Sequence, residues 1–512
     1  MTIKTGTQKR IGVILGYLTI IANTLVGILF TPFLIKSLGS SEYAVYKIIA
    51  SFAGYLNILN FGTHTIIARY VAKYTVNKDK KSEENFLAMM LIVSTFISLF
   101  MLAFGAVLYF LIEPIYGANF TSAELALAKK LMIILVLNVI LTIIDNSVTG
   151  IQVGYEKFIF SKGIGLFRVV TRTLAMLCLL LIGYKAIAIV ISDFIVAVAI
   201  FIMACVKTFG MMKVKIKYHY FDKHIFKEAM TFSLANVLQA VVNLVNQNLD
   251  LLILGALVSA EEVTVYSIAL TLFTMFGTLS DVMSGIFLPQ VTKMITAGAD
   301  GEKLTDLCIS VGRKTFIVSS GAACGFLIFG RVFLSVWMGE GYLDAYKYTL
   351  LLIFPMIINF TQGVCVSILN AKLKRLFRSC VLCGVALFNA VFTVILVKNI
   401  GVIGAAVATS LSVIIGHIIV MNIYYQKVIK LNVVRMFKGF FKGILPAVLI
   451  TTVLFIPCYI WLPVSWLYFF LGAAGFCAVY ITLLMIFGFN SAEKNEIKYY
   501  VNTVLRKLKI KK

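Results

Sequence analysis

The sequence predicts an all-α polytopic membrane protein of about fourteen transmembrane helices, built as two parallel-repeat six-helix lobes plus two extra C-terminal helices. Three observations predict it. The chain is 61% hydrophobic and only 13% charged over 512 residues, with a mean hydropathy of +0.97. A soluble fold has too little interior to hide that much apolar surface. Uncharged apolar runs recur, and the segments between them alternate in basic charge. Finally, two stretches of the first half reappear in the second at nearly the same offset.

A bilayer core is crossed by about 20 helical residues. On that measure the predicted helices lie at 11–35, 43–66, 86–112, 129–151, 160–182, 185–207, 229–257, 263–290, 315–338, 346–370, 377–397, 401–424, 440–460 and 465–488. The final apolar stretch, 443–489, holds two crossings broken at "WLPVSW" by Pro463. The basic Met1–Arg10 segment leads into a run too long for a cleaved signal, with no A-x-A-like site after it, so it reads as a retained first helix.

A net charge of +24 raises nucleic acid as a partner, and the placement of the charges argues against it. Of the 46 Lys and Arg, 36 lie in segments on the side of the N-terminus, seven on the opposite side and three within helices. This is the positive-inside pattern, alternating across all fourteen spans. It predicts cytoplasmic termini and a charge balance that sets topology. The nine cysteines are scattered. Cys380-x-x-Cys383 has no partner pair and reads as buried packing residues, so no metal site is expected.

"SEYAVYKIIA" (41–50) lines up with "EEVTVYSIAL" (261–270) at an offset of 220, and "IGYKAIAIVIS" (182–192) with "IGVIGAAVATS" (400–410) at 218. Predicted helices 1–6 therefore correspond to 7–12, and an even number of crossings makes the repeat parallel. The expected division is an N-lobe at 1–215, a C-lobe at 216–430, and helices 13–14 with a basic amphipathic tail at 431–512. Two lobes with a seam between them are the plan of a transporter, with sites near mid-membrane and one lobe rocking on the other. No loop exceeds about 25 residues, and no P-loop, HExxH or GxSxG is present. The expectation is a transporter, not an enzyme, with no cofactor and no ATP site.

The predicted seventh helix carries Asn236, Gln239, Asn243, Asn246 and Asp250, spaced 3, 4, 3 and 4 and so on one face. Facing lipid, each amide would cost a few kcal/mol. The stripe therefore faces protein or water, as interhelical glue or as a cavity lining suited to a hydroxyl-rich ligand. Asn23 matches Asn243 at the repeat offset, which sets helices 1 and 7 across the seam. Asn57, Asn60 and His64 form a shorter polar face on the second helix.

Charges within spans each need a partner or water, at roughly 2.5–3.5 kcal/mol. Here these are Lys47, Arg168, Arg172, Asp145, Asp193, Asp250 and Asp281. Arg172 lies 11 residues before Gly183 and Asp193 ten after, at similar depth on a tight hairpin. Arg168 and Asp145 likewise share a depth. Two readings stay open: ion pairs, or Arg168 and Arg172, one turn apart, as a clamp for phosphate. Asp145, Asp193, Asp250, Asp281 and His64 are candidates for ion coupling, with a packing role the alternative for the histidines His64 and His417. The tail opens on a cap-like Asn490-x-x-Glu493 and then reads as a basic interfacial helix on anionic lipid.

"LFTPFLIKSLGSSEYAVYKIIASFAGYLNILNFGTHTIIARYVAKY" (29–74) resembles the opening of the Wzx-type polysaccharide-biosynthesis flippases, in the superfamily of MATE exporters and lipid II flippases. "NLDLLILGALVSAEEVTVYSIAL", "SGIFLPQVTKM", "GRVFLSVWMGEGYLDAYKYTLLLIFP" and "ILNAKLKRLFRS" extend the resemblance over residues 10 to 440. The resemblance implies flipping of an undecaprenyl-pyrophosphate-linked oligosaccharide from the cytoplasmic to the outer leaflet of a bacterial inner membrane, as for O-antigen, capsule or exopolysaccharide. An ion gradient, H+ or Na+, would drive it. Lys47, Arg168 and Arg172, with Arg69 near the cytoplasmic end of the second helix, would hold pyrophosphate. The C-lobe amides and acids would hold sugar or a coupling cation. Three basic residues against four acidic ones depart from a plainly cationic lumen. The implied partners are the lipid-linked glycan, membrane lipids, and the polymerase and chain-length machinery of the same pathway, with the flippase itself a monomer. The alternatives are a MATE-like cation or drug exporter and, from another class, a membrane enzyme acting on lipid-linked sugars, whose usual large outer loop is absent here.

Overall fold

A computed structural model describes residues 5–58, 62–223, 226–227, 231, 249–285, 291, 293–295, 297–372, 374–491, 493–495 and 498. The chain is a multi-pass, all-helical membrane protein. Eleven helices among the described residues are long and apolar enough to cross a bilayer. They fall on predicted helices 1, 3–6 and 9–14. The other three predicted spans fall on a helix pair, on a segment described only at its end, and on one further helix. Large apolar side chains face outward throughout: Phe96, Phe110, Leu181 and Trp461 are each more than two-thirds exposed. Such a surface is stable only against lipid.

The described residues group into two compact units, Met1–Ser267 and Ile268–Lys512. The first opens with α1 (Thr5–Leu38), α2 (Ser40–Ile58) and α3 (Thr63–Asn77). The helix predicted at 43–66 is thus two helices, because Gly62 before α3 takes a left-handed φ of +62° that a continuous helix cannot hold. Next come α4 (Lys80–Tyr116) and α5 (Ser122–Gly154). Asp79 starts α4 by accepting from Ser82 N–H, and Thr121 with Glu124 forms a reciprocal capping box on α5. α6 (Phe158–Ile182) and α7 (Lys185–Cys205) are joined by Gly183 and Tyr184 alone, with Gly183 at φ +100°. This is the tight hairpin the sequence predicts. α7 continues as a π-helical turn, Val206–Met211.

α5 carries Gly150 and Gly154 one turn apart, and both lie against α3. A Cβ at Gly150 would stand 2.8 Å from the His64 carbonyl oxygen, and one at Gly154 would stand 2.7 Å from Val71 Cβ. The small-xxx-small pair lets two backbones meet. Around that contact Ile66, Ile67, Tyr70, Val71, Phe86 and Ile151 form a buried core, with Tyr70 and Phe86 stacked at 4.6 Å.

The helical residues 249–257, here α8, and the start of α9 (Ala260–Gly285) also pack in the first unit. Asn119 Nδ2 donates to the Ala256 carbonyl at 2.6 Å and Thr264 Oγ1 to the Ser40 carbonyl at 2.6 Å. A Cβ at Gly255 would strike Ile48 Cδ1 at 2.5 Å. These contacts tie α8 and the start of α9 to the first unit.

The second unit contains α10 (Gly301–Trp337), α11 (Asp344–Thr361), α12 (Gly363–Ala371), α13 (Arg375–Ile400), α14 (Ile403–Val413), α15 (Met421–Lys427), α16 (Val433–Phe441), α17 (Ile444–Trp461) and α18 (Trp466–Leu483). The helix predicted at 346–370 is interrupted at Gln362, whose buried amide donates to Asn422 Oδ1 at 2.8 Å. α16, between predicted helices 12 and 13, is an amphipathic turn that buries Val433, Met436 and Phe440. Cys380 and Cys383 are exposed on α13, not buried as expected, because this helix turns them outward with Leu387 and Val391.

Arg313, on α10, is nearly fully buried. Its guanidinium donates to the carbonyls of Gly439, Lys442 and Gly488 and to both carboxylate oxygens of Glu493. Glu493 also accepts from Asn490 N–H while Asn490 Oδ1 accepts from Glu493 N–H, the capping pair read from the sequence.

Candidate functional site

The polar heart of the first unit is built on α6. Arg168 and Arg172 lie four residues apart on it, so both project from one face. α5 brings Asp145 to the first and α7 brings Asp193 to the second. Arg168 Nη2 donates to Asp145 Oδ2 at 2.9 Å, and Arg172 Nη2 to Asp193 Oδ2 at 3.0 Å. Both pairings match those read from depth along the sequence. The carboxylates are the inner partners: the Asp145 side chain is 7% exposed, whereas each arginine side chain is 39% exposed. Each guanidinium thus keeps an open side while one edge is held.

Lys47, on α2, joins this group. Its ammonium sits 5.3 Å above the ring of Tyr43, and Arg172 and Tyr46 are within electrostatic reach. No carboxylate forms an ion pair with Lys47 among the described residues. The cluster is therefore three cations, Lys47, Arg168 and Arg172, against two carboxylates. Locally the balance is positive, in contrast to the whole-chain tally of three against four. Asp145 Oδ1 and Arg168 Nε are buried without a hydrogen-bond partner, so the pair is less than fully satisfied. An acceptor with several oxygens suits such an array better than a neutral ligand does.

The other expected site residues have different settings. Asp250 is buried and accepts from Tyr266 Oη at 2.7 Å, with Tyr55 nearby. Asn23 is exposed on α1 and donates to the Thr19 carbonyl of its own helix. Arg69 is exposed on α3. His64 is half-buried in the first turn of α3, with Lys162 as its charged neighbour. Asn60, Asn236, Gln239, Asn243 and Asn246, and the side chains of Asn57 and Asp281, lie outside the described residues. Sequence reasoning missed the tyrosines. Tyr43 and Tyr46 flank Lys47, and Tyr266 holds Asp250. Tyr43 and Tyr46 sit three residues apart beside an intramembrane lysine, a spacing that could have pointed to them.

A family model described as "Polysaccharide biosynthesis protein" matches residues 11–294, more than half of the chain. The chain belongs to this family. No protein of curated function matches it by sequence. Among solved structures, this family member is similar to the lipid II flippase MurJ in an inward closed conformation. The TM-score is 0.72 at 17% identity, over 93% of this chain and 98% of that one. It is also similar to an inward-facing multidrug resistance MATE family transporter of the MOP superfamily, with a TM-score of 0.63 at 13% identity over 78% and 93% of the two chains. A MATE structure in complex with MaL6 follows, at 0.55 and 13% over 80% and 95%. At such identities these likenesses concern the fold alone.

Proposed function

We propose that the chain is a flippase that carries an undecaprenyl-pyrophosphate-linked oligosaccharide from the cytoplasmic to the outer leaflet of a bacterial inner membrane. Its two sequence-repeat lobes, 1–215 and 216–430, would alternate access, with both termini cytoplasmic. The observation that carries this reading is the net-positive cluster of Lys47, Arg168 and Arg172 in a member of the polysaccharide biosynthesis family.

In this reading Asp145 and Asp193 hold the guanidinium groups in geometry while no substrate is bound. A pyrophosphate offers more oxygens and more charge than either carboxylate, so it takes over part of each guanidinium's donor set. A carboxylate that loses its cation in a low-dielectric setting is costly as a bare charge. Asp145 then gains affinity for a proton or Na+. That exchange of partners would link headgroup binding to an ion gradient without ATP. Amide-bearing helices of the second lobe would face the sugar, and the prenyl tail would stay in lipid.

The test is deletion of the gene followed by location of the lipid-linked glycan. Accumulation on the cytoplasmic face supports the reading. Normal surface glycan together with new drug sensitivity overturns it in favour of a MATE-like exporter. Arg168→Ala combined with Arg172→Ala is expected to abolish export when it is read per unit of protein in the membrane.

A further inference from the structure

A cleft of about 780 Å³ opens at the Lys-rich end of the first unit, between the start of α1, the first turns of α6 and the π-helical end of α7. Two lysines from different elements line it: Lys157, directly before α6, and Lys207, in the π-helical turn. The rest of the wall is mostly apolar, including Phe160, Phe167, Met203 and Met211, with Gln8 and Tyr155 as its other polar members. Gln8 Oε1 accepts from Ile159 N–H, and Tyr155 Oη donates to Glu83.

The electrostatics of this cleft are incomplete. Lys157 and Lys207 are half-buried, and neither forms an ion pair among the described residues. Among the described residues, Lys207 Nζ has soft company, the Phe160 ring at 5.5 Å and Met211 Sδ at 3.5 Å. Ammonium groups held on an apolar wall without an acid create a site for an anion. The depth fixes what kind. Both lysines sit at the ends of apolar spans, Phe158–Ile182 and Lys185–Met211, where the hydrocarbon core meets headgroups. Phe167, Met203 and Met211 are exposed apolar side chains on or at the ends of those spans, and such side chains are stable against lipid. Basic pockets between helices at this level suit phospholipid headgroups. Lysines act as point charges and lack the planar fork that favours bidentate pyrophosphate.

We propose that this cleft is a binding site for an anionic glycerophospholipid, its phosphodiester between Lys157 and Lys207 and its acyl chain along the Phe160–Met203 wall. Local order at this end of the protein then depends on membrane composition. The inference rests on the membrane fold and stands whether or not the chain is a flippase.

The full chain in phosphatidylcholine nanodiscs, titrated with phosphatidylglycerol and read by native mass spectrometry, tests it. One tightly retained phosphatidylglycerol is expected for the unmodified chain. Retention should weaken about twentyfold in Lys157→Gln with Lys207→Gln, on the order of fivefold per lysine. Lys157→Arg with Lys207→Arg keeps the charges and should retain the lipid, which separates lost charge from lost folding. Equal retention in the glutamine variant overturns the proposal. So does displacement of the lipid by an equimolar amount of farnesyl pyrophosphate, which would assign the cleft to a prenyl carrier.

Discussion

Arg172 on α6 and Asp193 on α7 meet across a two-residue turn, Nη2 to Oδ2 at 3.0 Å. The turn is so short that equal counts from Gly183 give equal depth, which leaves little freedom for either partner to miss the other. Both side chains retain some exposure, 39% and 25%, so their coupling should fall between surface and buried pairs. A double-mutant cycle with Arg172→Ala and Asp193→Ala, read by thermal unfolding in detergent, is expected to give about 2 kcal/mol. A coupling near zero would show that the contact adds nothing to stability.

Arg168 and Asp145 separate a structural role from a functional one. Arg168→Ala leaves the buried Asp145 carboxylate without its cation and should cost about 3 kcal/mol. Adding Asp145→Ala should recover much of that stability. Export should stay lost in the double variant if the guanidinium binds substrate. Recovery of export along with stability would make the pair purely structural.

The α3–α5 contact predicts a steric effect. Gly150→Ala forces a Cβ against backbone atoms of His64, which cannot rotate away, and should cost about 1–3 kcal/mol. Gly384→Ala, where nothing lies within 4 Å, is the matched control within a helix and should leave stability unchanged or raise it by up to about 1 kcal/mol. Equal unfolding temperatures for the two variants would refute the close approach.

Arg313 predicts a long-range dependence on the C-terminal segment. Arg313→Ala strands the buried Glu493 carboxylate and should destabilise the second unit by about 3–5 kcal/mol. Truncation before Asn490 should lower the unfolding temperature comparably, since it removes the counter-charge and leaves the arginine buried. Limited proteolysis of the second unit offers an independent readout. Unchanged protection in both variants would contradict the arrangement.

Much of the fold was legible because bilayer thickness imposes a length on each apolar run and loop charge orders the runs. The ion pairs were legible for a narrower reason: depth can be counted from Gly183 for Arg172 and Asp193, and from the predicted cytoplasmic ends of the two helices for Arg168 and Asp145. Interruptions were harder to see. Gly62 breaks a predicted helix through a backbone angle, and Gln362 does so through an amide bonded to Asn422, neither of which alters hydropathy. Arg313 reads as a loop charge when its helix is started at 315, but α10 begins at Gly301 and carries it inside. Tyr266 and Tyr43 count with the apolar residues of their runs, so their roles beside Asp250 and Lys47 are not read from the pattern.

The Arg313–Glu493 bond also sets an order of events during synthesis. The two residues are 180 positions apart, so at roughly 5–20 residues per second of synthesis the arginine waits on the order of 10–40 s for its acid to be made. Throughout that interval a cation destined for the interior has to stay hydrated, and the helices around it cannot settle fully. Synthesis as far as Glu493 is then what lets the second unit close around its arginine.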